Sequence, residues 1–270
     1  MRNGYLTRLV IPKNLELKMQ DGILISVIIP CRNEELYIEK CIQSLLAQTG
    51  IEQNKIEIII VDGESTDSTK EILDKYAGTN VRIISNPRLI TPVAMNLGIK
   101  AATGDYIAIL GAHSTYPPDY LSNSLKLFKI DKSILGVGGP IFSEGSNNFS
   151  KATALCMSSA VGVGNAKHRF PDYEGFAEMA CFPVFHKSAF EKAGFYDEKL
   201  IRNQDDEFCF RLRRLGYKIY ISPRVQATYY VRTGPMKLFS QYFNYGYWRV
   251  AVLRKHKIPI SIRQLIPGLF

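Results

Sequence analysis

The sequence predicts an α/β fold built on a doubly wound sheet. Two observations carry this: β-branched runs alternate with helically spaced apolar residues through the first 110 residues, and the residues richest in chemistry fall just after those runs. The runs are residues 25–30 (ISVIIP), 56–62 (IEIIIVD), 81–85 (VRIIS) and 105–110 (DYIAIL), each bounded by turn-forming or polar residues, which is the pattern of buried parallel strands. Between them, residues 34–49, 66–77 and 91–102 place apolar side chains at helical spacing, as Ile38, Cys41, Ile42 and Leu45 do. Such alternation calls for right-handed crossovers, and ligands of these sheets collect at the carboxyl ends of the strands. Residues 31–34, 62–67, 86–88 and 111–114 occupy those ends.

Beyond Pro117 the regularity weakens. Residues 119–128 predict a helix, 135–141 a strand, 143–150 a Gly/Ser/Asn-rich loop and 153–160 a helix; residues 179–186 predict a strand, 205–215 a helix, 218–221 a strand and 235–255 a long aromatic-rich helix. At 270 residues and 46% apolar the chain has material for a sizeable core, which excludes a disordered protein. Its five cysteines form an odd set with no C-x-x-C pair and sit mostly in apolar runs, so they read as reduced and the setting as cytoplasmic. Residues 1–20 lack the continuous apolar stretch of a secretory signal, and no window reaches the roughly 18 apolar residues of a membrane span. A soluble or peripheral protein is expected.

The net charge of +9 is unevenly placed. No acidic residue follows Glu207, whereas Arg211 to Arg263 supply 12 of the 34 basic ones, so the rest of the chain is slightly acidic. A basic segment of this kind faces nucleic acid, anionic lipid or a diphosphate, or is simply solvated. Zinc-knuckle, RNP and helix-turn-helix patterns are missing, which removes support for nucleic acid. The glycine loops of dinucleotide and P-loop proteins are missing too: GVGGP at residues 136–140 and GVG at 162–164 stand in the wrong context.

Three constellations remain. Asp62-Gly63-Glu64-Ser65-Thr66-Asp67 follows the second strand, where a carboxylate can accept an N–H from a base edge and Ser65, Thr66 or Asp67 can cap the next helix; capping alone explains the block about equally well. Gln204-Asp205-Asp206-Glu207 opens a helix. Acids there suit the helix dipole, yet three in a row exceed what a cap needs and offer a general base. His113 stands two or three residues past the fourth strand, facing the expected crevice.

In order and spacing, VIIPCRNEE (residues 27–35), VDGESTDST (61–69), NLGIKAATGDYI (96–107), Gly111-Ala112-His113, AGFYDE (193–198), QDDEFCFRLRRLGYKI (204–219) and QYFNYGYWR (241–249) resemble the family 2 glycosyltransferases, inverting enzymes with a GT-A fold. The resemblance implies a Rossmann-like mixed sheet flanked by helices: a nucleotide-sugar half over residues 25–116, an acceptor-binding and catalytic half over 117–232, an N-terminal extension over 1–24, and a basic helical tail over 233–270. It implies that Pro30, Arg32 and Glu34 line the nucleoside pocket, that Asp62 binds the base, typically uracil, with Ser65 and Asp67 supporting the loop, and that Asn96, Gly111 and Ala112 join the nucleotide site. Asp205 falls on the family's catalytic base, with Gln204 in place of its usual Glu neighbour; Asp206 or Glu207 gains weight from that change.

Residues 111–113 occupy the place of the family's metal-holding D-x-D. Gly111 removes the first carboxylate and His113 replaces the second, and imidazole suits Mn²⁺ better than Mg²⁺, so manganese is the expected cofactor and His113 its ligand. Enzymes making bacterial exopolysaccharides resemble this chain in having Ala-His here, followed by a Tyr-Pro like Tyr116-Pro117. Arg232, Gln241, Trp248 and Arg249 are expected near the diphosphate or acceptor, while Tyr242, Phe243 and Tyr245 read as core packing. The expected partners are a nucleotide-sugar donor, a glycan or lipid-linked acceptor, and an anionic membrane surface met by the basic tail at the inner face of the cell membrane. The two changes, Gly111 and Gln204, also motivate an alternative: an impaired relative that binds sugar nucleotide or glycan within a synthase complex.

Overall fold

The computed structural model describes residues 24–78, 80–157, 159, 166–231 and 234–258. Four strands, β1 (Ile25–Cys31), β2 (Ile56–Asp62), β3 (Val81–Ser85) and β4 (Tyr106–Ile109), lie parallel in the order β3-β2-β1-β4. They match the four runs read from the sequence. Burial on both faces explains why β1 and β2 read as unbroken apolar runs: six of the seven residues are buried in each, whereas β3, at the edge, buries only Val81.

The remainder of the sheet is mixed. Strand β6 (Ile134–Gly139) pairs with β9 (Cys181–His186), which runs antiparallel to both β6 and β4; β10 (Lys218–Ile221) lies parallel to β6, and β8 (Gly175–Ala177) closes the far edge. Cys181 sits opposite Gly139, so β9 re-enters the sheet from the end at which β6 leaves it. Without a crossover back to the opposite end, the returning strand has to run the other way. A second sheet, β5 (Ser114–Thr115), β11 (Ala227–Tyr230) and β7 (Ile141–Glu144) in the order β5-β11-β7, braces the carboxyl end of the main one. The sequence reading missed this sheet and placed a loop over 143–150, where β7 ends and a helix begins.

Eight α-helices stand among the described residues: α1 (Ile38–Leu46), α2 (Thr69–Asp74), α3 (Thr91–Ala101), α4 (Tyr120–Leu127), α5 (Asn148–Met157), α6 (Ser188–Ala193), α7 (Gln204–Arg214) and α8 (Pro235–His256). One apolar cluster joins β1, β2, α1 and α4; another joins the opposite face of the sheet to α3, α6 and α7. The sequence pattern starts α1 and α2 too early. The N–H groups ahead of α1 are taken by side chains of the neighbouring loop: Asn33 N–H donates to Ser65 Oγ (2.9 Å), Glu34 N–H to Thr69 Oγ1 (2.8 Å) and Glu35 N–H to Asp67 Oδ2 (3.3 Å). In return Thr66 N–H donates to Asn33 Oδ1 (2.8 Å) and Ser68 N–H to Glu35 Oε2 (3.0 Å).

Helix α8 starts with Pro235 in its first turn, after a Gly234 N-cap, where the absent proline N–H costs nothing. It docks through its C-terminal end. Val252, Ala251 and Trp248 pack on Leu200 and Phe210, and the fully buried carboxylate of Glu207 on α7 receives Arg211 Nε (3.0 Å), Lys255 Nζ (2.8 Å) and His256 Nε2 (2.9 Å). Lys255 also reaches Asp197 Oδ2 (2.6 Å). Burial alone would raise the Glu207 carboxyl, but Lys255, Arg211 and His256 together hold it below the ordinary glutamate range. Its contribution to stability is therefore present above the unfolded-state value and is lost as the pH falls through the lower folded-state value. Glu207→Gln strands three donors around a neutral amide and should destabilise the fold by roughly 3–5 kcal/mol at neutral pH. Urea unfolding should show that gap narrowing as the buffer is acidified; a gap independent of pH would mean that the substitution acts through packing.

Candidate active site

The carboxyl ends of β1, β2 and β4, the N-terminus of α7 and one side of α8 enclose a crevice of about 1660 Å³. Pro30, Arg32, Glu34, Gly111, Ala112, His113, Gln204, Asp205, Asp206, Gln241 and Arg249 all line it, so eleven of the residues singled out from the sequence share one space although they span more than 200 positions. Asp62 and Ser65 lie just beneath, buried at 5% and 4% exposure. The Asp62 carboxylate accepts both the backbone N–H of Ser65 (3.1 Å) and its hydroxyl. Asp67 accepts Thr69 N–H (3.0 Å) as well as Glu35 N–H. In this geometry the block shapes the loop, while the N-cap of α2 is Ser68, which makes no side-chain cap bond.

The 111–113 segment is held tightly. Tyr116 Oη accepts the Gly111 N–H (2.7 Å) and donates to the Gly111 carbonyl (3.2 Å), and Tyr230 N–H donates to the His113 carbonyl (3.3 Å). His113 Nδ1 lies 2.9 Å from Glu34 Oε1, and its ring meets Tyr229 edge-on at 5.2 Å. A carboxylate on one imidazole nitrogen is the usual support of a metal-ligating histidine. Among the described residues, however, no group of three His, Cys, Asp or Glu side chains is placed to hold an ion. A Cβ on Gly111 would come within 2.6 Å of the Phe182 ring, so the place of a first carboxylate is filled by an aromatic side chain. The residues thus fit a divalent cation only together with phosphate oxygens and water, the way such ions are held at nucleotide sites.

The three acids that open α7 are sorted by environment. Burial pushes the Asp205 carboxyl above the ordinary aspartate range, against the pull of the Asp206 N–H, which donates to Asp205 Oδ1 at 2.9 Å, and of the Arg202 charge. Asp206 lines the crevice beside it. Glu207, two positions on, is committed to the α7–α8 anchor and does not line the crevice, which removes it as an alternative base. Gln204 is 6% exposed; its amide nitrogen reaches only Met95 Sδ (3.9 Å), and its Oε1 has no partner.

Other expected members of the site stand elsewhere. Asn96 is buried on α3, and both ends of its amide are spent on Tyr196 and Glu198: Oδ1 accepts Tyr196 N–H (3.0 Å), while Nδ2 donates to the Tyr196 carbonyl (2.9 Å) and Glu198 Oε1 (3.1 Å). It fixes the 193–198 turn and does not line the crevice. Trp248 is likewise absent from the lining because its indole packs into the Leu200–Phe210–Val252 cluster. The core-packing reading of Tyr242, Phe243 and Tyr245 is corrected. These side chains are 50%, 64% and 37% exposed, since α8 touches the core only toward its end, and Tyr242 and Tyr245 line the crevice. Arg232 lies outside the described residues, as do residues 1–23 and 259–270 of the expected extension and tail. Arg169 and Phe182 also line the crevice; Arg169 sits in no periodic segment, and Phe182 falls in the strand read over 179–186, where an apolar run does not say which side chain meets a ligand.

Comparison with known proteins follows the same outline. The sequence model of "Glycosyl transferase family 2" matches residues 26–194. The chain is 33% identical over 248 residues to the succinoglycan biosynthesis protein ExoA of Rhizobium meliloti (strain 1021), covering 89% of this chain and 73% of the relative. It is also 33% identical over 240 residues to the dolichyl N-acetyl-alpha-D-glucosaminyl phosphate 3-beta-D-2,3-diacetamido-2,3-dideoxy-beta-D-glucuronosyltransferase of Methanococcus voltae, covering 86% and 74%. In structure it is similar to the mannosyltransferase PcManGT from Pyrobaculum calidifontis in complex with GDP-Man and Mn²⁺, with TM-score 0.65, 18% identity, and 90% of this chain on 67% of that one. It is similar as well to S. aureus TarS 1-349 in complex with UDP-GlcNAc, with TM-score 0.62, 17% identity, and coverage of 86% and 67%. These neighbours share the GT-A fold, a mixed sheet flanked by helices, which the sequence reading expected. The family match runs from β1 through α6, well over half of the chain, and the chain therefore belongs to glycosyl transferase family 2.

Proposed function

We propose that this protein moves a sugar from a nucleoside diphosphate, UDP, to a hydroxyl of a glycan or lipid-linked acceptor in polysaccharide biosynthesis, with inversion at the anomeric carbon. The observation that carries this reading is the placement of Asp205, made more basic by burial, in the same crevice as the strand-end loops of β1, β2 and β4. These two structural neighbours were solved with nucleotide sugars, and the Methanococcus voltae relative's name gives a dolichyl N-acetyl-alpha-D-glucosaminyl phosphate as what it acts on. In a single displacement the acceptor oxygen bonds to the anomeric carbon as its proton passes to the Asp205 carboxylate. The bond from that carbon to the diphosphate oxygen breaks, and its electron pair stays on the diphosphate. A divalent cation, when bound, supplies Lewis-acid neutralisation of that leaving group. His113, backed by Glu34, is the residue to hold it, and the imidazole favours Mn²⁺.

Asp205→Asn should reduce sugar transfer by about 10²–10⁴-fold with UDP affinity unchanged. In the wild type the rate should rise with pH through an acidic limb above the ordinary aspartate range, and that limb should be absent from the variant's residual rate. Retained transfer would move the base to Asp206, and tight UDP binding without turnover by the wild type on any acceptor would favour the impaired-relative alternative.

His113→Ala should abolish the Mn²⁺-dependent part of UDP binding in calorimetric titrations. A variant whose UDP affinity still increases with Mn²⁺ has its metal held elsewhere.

The tail belongs to the same proposal as a peripheral membrane contact. Phe239, Phe243, Tyr247 and Val250 follow one another at three- and four-residue spacing on α8 and are 66%, 64%, 63% and 48% exposed, with Arg254 and Lys257 along the same segment. An apolar stripe flanked by cations suits an anionic bilayer surface, and no helix of the described residues is long and apolar enough to cross one. The protein should float with phosphatidylglycerol-containing vesicles but not with pure phosphatidylcholine, and the double variant Phe239→Ser, Phe243→Ser should stay in the dense fraction. Equal recovery of both proteins would remove the stripe from the proposal.

A further inference from the structure

Arg169 ends the short turn Lys167–Arg169 and lines the crevice. Its Nη1 is shielded from solvent and has no hydrogen-bond partner among the described residues. A guanidinium keeps its charge at every working pH and offers donors in a fixed fork, so a dry, unpaired nitrogen on it is a group waiting for an anion. The other arginine and lysine side chains of the crevice, Arg32, Arg202, Lys237 and Arg249, are exposed and keep their water. Arg169 also stands near the reaction centre: its field and that of Asp205 act on the same two neighbours, Cys181 at the start of β9 and Tyr245 on α8.

The wall at Gly111 bears on the use of an anion-binding arginine. Phe182, next to Cys181, adopts left-handed backbone geometry (φ 44°) and fills the space beside Gly111. Left-handed geometry is costly for a bulky side chain and persists only where the surroundings impose it. A carboxylate at position 111 would need that space, so this wall offers no acidic side chain to draw a cation onto the leaving group.

We propose that Arg169 binds the donor's diphosphate directly and provides fixed positive charge for the departing group, so that nucleotide binding is in part independent of metal. The proposal rests on the nucleotide-sugar reading of the crevice. It is tested by titrating wild type, Arg169→Met and Arg169→Lys with UDP and with uridine, each in excess chelator. The expected result is measurable UDP binding by the wild type without metal, a loss of about tenfold or more in Arg169→Met, partial recovery in Arg169→Lys, and uridine affinity equal in all three. Mn²⁺ added back should still tighten UDP binding to Arg169→Met, because that increment belongs to His113.

Unchanged UDP affinity in Arg169→Met overturns the proposal. An equal loss of uridine affinity does so too, since it would show a collapsed crevice. So does a variant whose UDP affinity is intact but whose acceptor KM rises, which would assign the guanidinium to an anionic acceptor. A wild type that binds neither UDP nor uridine, with or without Mn²⁺, is a different failure: it removes the nucleotide site itself and this role with it.

Discussion

The site depends first on the lock between the loops that follow β1 and β2. These strands are parallel neighbours, so both loops emerge at the same edge with backbone N–H groups that no strand or helix satisfies. The side chains satisfy them reciprocally: Ser65 and Thr69 serve Asn33 and Glu34, while Asn33 and Glu35 serve Thr66 and Ser68. Buried Asp62 then holds Ser65 from below. The chain of contacts does not stop there, because Glu34, positioned by this lock, is the residue that reaches His113. A contact beneath the nucleotide loop is thus connected, through four residues, to the imidazole proposed to hold a metal.

A second division of labour lies within a single helical turn. Asp205, Asp206 and Glu207 are consecutive, and a helix turns about 100° per residue, so side chains two positions apart face nearly opposite ways. Asp205 faces the crevice, where burial makes its carboxyl more basic. Glu207 faces the end of α8, where Lys255 and His256, together with Arg211 of its own helix, make its carboxyl more acidic. Environments that push neighbouring carboxylates apart are how a site separates a proton acceptor from a permanently charged anchor. One sequence motif thereby supplies both the proposed base and the clamp that fixes the adjoining wall.

What was legible in the sequence follows from how local each signal is. Of the four parallel strands, β1 and β2 were the plainest to read, because burial on both faces writes a continuous apolar run into seven residues; edge strand β3 was read from its β-branched residues despite Arg82. The crevice residues that follow β1 and β4 were read because strand ends are predictable once the strands are, whereas Asp205, Gln241 and Arg249, which stand on helices, came from the family resemblance. The second sheet was not, since β5 is two residues long and pairs with β11 more than 100 positions away, leaving no periodicity to detect. Antiparallel β9 gives the same apolar run as a parallel strand would, so its direction was invisible. Asn96 and Trp248 were misplaced for a different reason: a position within a family motif says that a residue matters, not which side of its helix faces the ligand. Arg169 had neither kind of signal, and only the solvent-shielded nitrogen in the folded chain exposes it.

The two sides of the crevice are also unlike in how they are held. The nucleotide side sits on the central sheet, with its loops cross-linked by side chain to backbone bonds. The opposite wall is one helix fastened at its last turns by Val252, Lys255 and His256, while residues from Met236 to Tyr247 bury little apolar surface. Segments with few buried contacts open at lower free energy than the cores they flank. A rigid sheet side and a wall anchored at one end suit the proposed transfer, in which the donor is held and an acceptor enters beside it. The wall residues Gln241, Tyr245 and Arg249 recur at four-residue spacing on one face, with Phe239, Phe243 and Tyr247 two positions out of step on the other. A surface bound on that outer face would, under the proposed membrane contact, set how those three residues line the crevice.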